Sequence, residues 1–200
     1  SLNDSVFDRL LAVTGTTTVI IDRESGAVVW QPESPAEADD EPPVPLIAFD
    51  SSGESFAIGG RGEHVIDQYS VPTGEVTSTR FGAPPRLRWL GFSPGDHYLL
   101  ALARQTGAAT VWRAGETEPH LPDVFGTMDY CSAAFHPDGE HCAMGTWSGF
   151  LVIHRLSDGA EVDAREAHHS GLNAIGFTPD GSLLLTGGDD GKLLAWEVTR

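Results

Sequence analysis

Lysine is almost absent from this chain: Lys192 stands alone among 200 residues, and the 12 Lys and Arg together face 29 Asp and Glu, for a formal net charge of −17. Phosphate backbones are held by cationic footprints that release counterions, so this balance argues against nucleic acid as a partner. The acidity itself is open to three readings: a solvated surface in an arginine-preferring organism, a basic partner, or adaptation to high salt. Cysteine is equally scarce. Cys131 and Cys142 are the only two, too few for a disulfide scaffold, and a reducing, cytoplasmic setting is expected. No apolar run approaches the ~18 residues of a membrane helix, which leaves no membrane-spanning segment to predict. The opening SLNDSVFDRL has no basic stretch leading into an apolar one, so no signal peptide is expected. It also lacks Met, which favours reading the chain as part of something longer. Missing too is any long 3.6-residue periodicity, and the closest approach to one, DRLLAV, aligns with segments that read as strand.

What the chain does contain is a repeat. AFDSSGESFAIGG (48–60), GFSPGDHYLLALA (91–103), AFHPDGEHCAMGT (134–146) and GFTPDGSLLLTGG (176–188) are four versions of one pattern, and their Phe49, Phe92, Phe135 and Phe177 are spaced 43, 43 and 42 apart. A partial fifth copy, RLLAVTGTTTVIIDRESGAVVW (9–30), lies upstream. Constant spacing of this kind marks stacked supersecondary units. Within each unit, short alternating or β-branched runs are broken by Pro, Gly, Asp and Ser clusters, the pattern of strand, turn, strand. Turns are predicted at 50–53, 93–96, 136–139 and 178–181. The adjacent carboxylates Asp189 and Asp190 fall at such a reversal, where Asp-Gly supplies a hairpin turn. As neighbours they diverge, so they are poorly placed to act on one bond.

The last unit, HHSGLNAIGFTPDGSLLLTGGDDGKLLAWEV (168–198), resembles a WD40 repeat, and the likeness extends more loosely over 44–116 and 130–160. The resemblance implies an all-β fold, a WD40-like β-propeller or partial propeller of about five units of 42–43 residues. The units run approximately 1–43 (incomplete), 44–86, 87–129, 130–171 and 172–200, within one domain, 1–200. Labelling strands a to d outward from the axis, the expected tally is b, c and d of the first unit, three whole units, and a, b and c of the last. Either residues 1–6 close a five-bladed ring, or the chain is an arc of a larger propeller completed by further sequence or by self-association. The resemblance also implies a buried structural network of His168, Thr186, Asp190 and Trp196. A shift of 42 puts Gly126, Met144, Ser148 and His154 at those positions, and the third unit has Trp112 one residue out of step. Apolar packing is expected to replace the network there.

Side chains that the family presents on the narrow face of the disc come from the residue before the turn Asp and from those just before the innermost strand. Here the first set is Arg61, Arg104, Trp147 and Asp189, and the second includes Pro85, Met128 and Ser170. Trp147 stands out as an indole in a tight polar turn, GTWSGF, the kind of anchor that binding patches use. The eight histidines show no metal-ligand spacing; His136 and His141, flanking one turn, come closest to a pair, and neither metal nor cofactor is expected. Cys131 and Cys142 fall on neighbouring strands with offset register, so no bridge is predicted. The Pro- and acid-rich segment 31–45 reads as a surface loop, or as an acidic docking arm. The innermost strands VPLIAF, LRWLGF, CSAAFH and LNAIGF look apolar and nearly free of titratable groups, which speaks against an enzyme using the axial channel. The function expected is a non-catalytic protein–protein interaction platform or scaffold, with a regulatory or sensor module of a larger signalling protein as the alternative.

Overall fold

A computed structural model describes residues 9–14, 17–22, 25–31, 45–60, 64–84, 86–122 and 128–198. Residues 1–6, most of the 31–45 segment, Arg61, Pro85 and Gly126 lie outside that set.

The described chain is seventeen strands in five antiparallel sheets, each made of strands consecutive in sequence. The first sheet holds β1 (Arg9–Thr14), β2 (Thr17–Asp22) and β3 (Val28–Trp30), so RLLAV, as expected, is strand. The second holds β4 (Leu46–Phe49), β5 (Ser55–Gly59), β6 (Val65–Ser70) and β7 (Val76–Phe81). The third comprises β8 (Leu87–Phe92), β9 (Tyr98–Ala103) and β10 (Ala109–Arg113). The fourth comprises β11 (Tyr130–Phe135), β12 (His141–Thr146), β13 (Phe150–Arg155) and β14 (Glu161–Glu166). The fifth holds β15 (Leu172–Phe177), β16 (Leu183–Gly188) and β17 (Leu193–Glu197). The third unit departs from the expected four strands. Its outer edge is reduced to a single bridge, Val111 to Leu121.

All four predicted turns close by a backbone bond from the fourth residue to the first: Gly53 to Asp50, Asp96 to Ser93, Gly139 to His136 and Gly181 to Thr178. Consecutive turns also touch. The Ser51 amide donates to Asp96 at 2.8 Å, and a side chain on Gly139 would meet the Pro94 carbonyl at 2.5 Å. His136 Nε2 donates to the Gly181 carbonyl at 3.3 Å.

Because successive side chains point to opposite faces of a strand, a strand with neighbours on both sides is apolar throughout. In β9, Tyr98, Leu100 and Leu102 pack towards the fourth sheet, against Tyr130, Met144 and Val152. The intervening Leu99 and Ala101 pack towards the second, against Ile66, Leu87 and Trp112. Trp112, one residue out of step in the sequence, is in step in the sheet: it pairs with Leu99 as Trp196 pairs with Leu184, and its indole N–H donates to the Phe81 carbonyl at 2.9 Å. Between the fourth and fifth sheets lie Ala143, Leu151, Leu172 and Leu184. The core is therefore a series of layers between sheets, and β4, β8, β11 and β15 succeed one another along the inner side.

On the fifth sheet's other face, Leu185 is 39% and Leu193 75% exposed, where their counterparts one unit earlier, Ala143 and Leu151, are buried. Leu100→Ala is expected to cost about 2–5 kcal/mol of unfolding free energy, and Leu193→Ala to stay within about 0.5 kcal/mol. Urea melts of the two variants check this, and equal losses would contradict the layered core.

Candidate functional site

The structural network sits in the fifth sheet as one connected chain. Trp196 Nε1 donates to Thr186 Oγ1 at 3.0 Å, Thr186 Oγ1 lies 2.9 Å from His168 Nε2, and His168 Nδ1 lies 2.9 Å from Asp190 Oδ1. An indole N–H can only donate. The bonds are therefore all satisfied when the Thr186 hydroxyl donates to Nε2 and Nδ1–H donates to the carboxylate. Asp190 also accepts from the backbone amides of His169 and Lys192. Burial pushes its pKa up, and the bonds from His168, Lys192 and His169 outweigh that, leaving it at about 2. Asp190 is a turn residue and a strut.

The fourth unit, expected to rely on apolar packing alone, has a polar substitute. His154 occupies the place of Trp196, and its Nε2 lies 2.8 Å from the Tyr130 hydroxyl in a buried pair. Burial lowers the pKa of His154 and raises that of Tyr130, so both are neutral near pH 7.

A second recurring device builds the face. The amide of Arg104 donates to the Arg86 carbonyl, that of Trp147 to Asp129 and that of Asp189 to Gly171, each pair eighteen residues apart. In three units the turn between the second and third strands is thus tied to the start of the innermost strand. Gly149 lets the same turn of the fourth unit approach the segment leading into the fifth sheet: its φ is +89°, and a Cβ would lie 2.0 Å from the His168 carbonyl. These bonds bring the expected face residues Arg104, Trp147, Asp189, Met128 and Ser170 to one side of the sheets. Trp147 is 44% and Met128 38% exposed. Asp189 is exposed and Ser170 half-buried. Trp147 does not fold over its own sheet. It lies against Gly171 at the start of the fifth sheet, with Asp189 on the same glycine.

Residues not anticipated complete the site. The strands β8, β11 and β15 each carry a β-bulge, between Leu87 and Trp89, Tyr130 and Ser132, and Leu172 and Ala174. The bulged residues are Arg88, Cys131 and Asn173, all four positions before the repeat phenylalanine. Bulges re-aim side chains. These three line an open cleft of about 590 Å³ on the inner side, together with Arg104, Trp89 and Ser132. The innermost strands are therefore less apolar than their sequence implied. Arg88 donates from Nε to the Cys131 carbonyl at 2.8 Å and holds its guanidinium 4.4 Å over the Trp147 ring, a stacking that fixes both side chains. The signal for this was the shared register of Arg88, Cys131 and Asn173 in the repeat alignment.

The cleft has hydrogen-bond donors and aromatic surface. Among the described residues its lining includes no carboxylate and one thiol, Cys131, whose pKa is raised by burial and whose Sγ lies 3.1 Å from the Leu172 carbonyl. Cys131 and Cys142 are free and buried. His136 and His141 both approach Asp138, with Nδ1 at 3.0 and 2.8 Å from Oδ2. Among the described residues no three His, Cys, Asp or Glu side chains converge as metal ligands. No helix among them is long and apolar enough to cross a membrane.

Residues 160–197 match the family described as WD domain, G-beta repeat, and the match falls on the sheet that carries the His168–Asp190 network. That unit is a WD40 repeat, and the chain is similar over more of its length to several larger proteins. Periodic tryptophan protein 2 homolog of Schizosaccharomyces pombe is 28% identical over 76% of this chain and 20% of its own length. Serine-threonine kinase receptor-associated protein of Gallus gallus is 26% identical over 46% of the chain and 27% of its own length. The chain thus spans about a fifth to a quarter of these curated relatives. The β-propeller domain of Myceliophteria thermophila Cps50 (Swd1) superposes with a TM-score of 0.73 at 14% identity, over 100% of this chain and 64% of that one. That likeness shows a propeller fold.

His168→Ala is expected to cost about 2 kcal/mol or more, because it strips Asp190 and Thr186 of a buried partner. His120 is half-buried and bonds the Ser157 carbonyl at 2.8 Å, which disqualifies it as a control. The exposed His97 is the better control, and thermal melts in which H168A falls no further than H97A would exclude the strut. Acid provides a second check. The folded pKa of Asp190 lies below the ~3.9 of a free aspartate, so its pairing stabilises the fold above about pH 4 and is lost as pH falls towards 2. In Asp190→Asn the drop in melting temperature between pH 4 and pH 2 should shrink.

Proposed function

We propose that this chain is a non-catalytic platform for protein–protein interaction, and that its partner docks on the face around Trp147. The observation that carries the reading is the rigid presentation of an exposed indole, stacked under Arg88 and seated on Gly171. Binding energy concentrates in aromatic and arginine residues at such places. Arg104, Met128, Asp189 and Ser170 surround it as the remainder of the docking face. Support comes also from the absence of a carboxylate pair or activated nucleophile among the cleft-lining residues. One of the similar proteins is a receptor-associated protein, which fits this reading. A net charge of −17 favours a protein over a nucleic-acid partner. The two free, buried thiols accord with a reducing compartment, and a cytoplasmic location is part of the proposal.

The test is capture of partners from an extract of the source cells by the immobilised chain, followed by titration of the protein captured. Trp147→Ala is expected to weaken that binding by about 30-fold or more, the equivalent of a ~2 kcal/mol hot spot, with the melting temperature kept. Binding unchanged in W147A would move the docking surface elsewhere.

A further inference from the structure

The chain's overall charge is strongly negative, yet among the described residues the cleft is lined by two cations and no carboxylate. Arg88 is fixed by two independent contacts, its Nε–H on the Cys131 carbonyl and its face on the Trp147 ring. Neither contact uses the two terminal nitrogens. Among the described residues neither Arg88 nor Arg104 has an ion-pair partner, whereas Arg155 and Arg165 pair with Asp158 and Asp163. A guanidinium whose outer fork is open, and whose rotamer is already fixed, is preorganised to grip a carboxylate with two parallel bonds. Asn173, at the equivalent bulge two sheets further on, is occupied in donating to Asp189, whose other carboxylate oxygen lies against Gly171.

We propose that the cleft receives the carboxylate of an Asp or Glu from an extended acidic segment of a protein partner. Arg88 supplies the bidentate grip, Arg104 the second positive charge, and Trp147 the apolar wall against which the segment's backbone or a neighbouring apolar side chain rests. This deepens the platform reading and rests on it. The opposite charge of the rest of the molecule sharpens the selectivity. An acidic segment is repelled by most of the surface, so the arginine cleft is the place where it gains attraction.

The probe is a fluorescein-labelled peptide of eight glutamates, followed by anisotropy on the full chain at 50 mM and 300 mM salt, with labelled octathymidylate and octalysine in parallel. The expected result is saturable binding of the glutamate peptide, weaker at the higher salt. Arg88→Gln and Arg104→Gln should each reduce it about tenfold or more, and Arg88→Lys should restore only part, since a point charge lacks the fork. Arg104 is exposed and makes no side-chain bond among the described residues, so R104Q tests the idea even if R88Q disturbs the Cys131 contact. Octaglutamate that fails to bind, binds R88Q and R104Q as tightly as the native chain, or is bettered by octathymidylate or octalysine would overturn the proposal. The two readings fail separately. A natural partner lost by W147A but retained by R88Q and R104Q leaves the platform standing and removes the carboxylate grip.

Discussion

The third, fourth and fifth sheets share their cores with the sheets beside them. A three- or four-stranded sheet buries its faces only against the sheets before and after it, and Leu100 and Leu99, adjacent in β9, belong to different layers for that reason. Everything else follows from this sharing. The strands are apolar on both sides because both sides are covered, and the turns touch one another because the sheets are held at constant separation. The innermost strands converge because successive sheets pack side by side. Stability of this kind is close to a sum of unit and interface contributions, so a unit can lose the buried His–Asp network and persist on its neighbours.

The cleft depends on the same constraint at one remove. Packing fixes where β8, β11 and β15 run, and within that frame a bulge at one repeat position rotates Arg88, Cys131 and Asn173 to the inner side. The polar network in the fifth sheet and the Tyr130–His154 pair in the fourth do a related job by different chemistry. Each satisfies buried donors and acceptors next to a turn, so that the turn holds its place.

Most of the strands were legible from period and punctuation: LNAIGF, TPDGS, LLLTGG and DDGK mark strand and turn boundaries that the coordinates place within a residue. The network of His168, Thr186, Asp190 and Trp196 was legible through the resemblance of 168–198 to a WD40 repeat, which assigns those four positions. Two things were not. Among the described residues the outer strand of the third unit is reduced to the Val111–Leu121 bridge, and its sequence signature is no more than Pro119 and Pro122 on either side of Leu121, which a tally by repeat length passes over. The role of Arg88 was hidden because alternation along LRWLGF gives no sign of a bulge. A bulge arises from pairing with the next strand, and pairing register is a property of two segments, which a single strand's pattern does not contain. The alignment of Arg88 with Cys131 and Asn173 was the available clue, since three dissimilar residues at one repeat position mark a place the fold leaves free to vary.

The amide bonds from Arg104, Trp147 and Asp189 use main-chain atoms alone. The scaffold therefore holds each of these positions without consulting its side chain, as a keyboard holds its keys whatever is printed on them. An arginine, an indole and a carboxylate already occupy equivalent places in three successive units. Such a face can be re-lettered one residue at a time, by evolution or by an engineer, and the lineage can acquire new recognition without disturbing the layers that keep it folded.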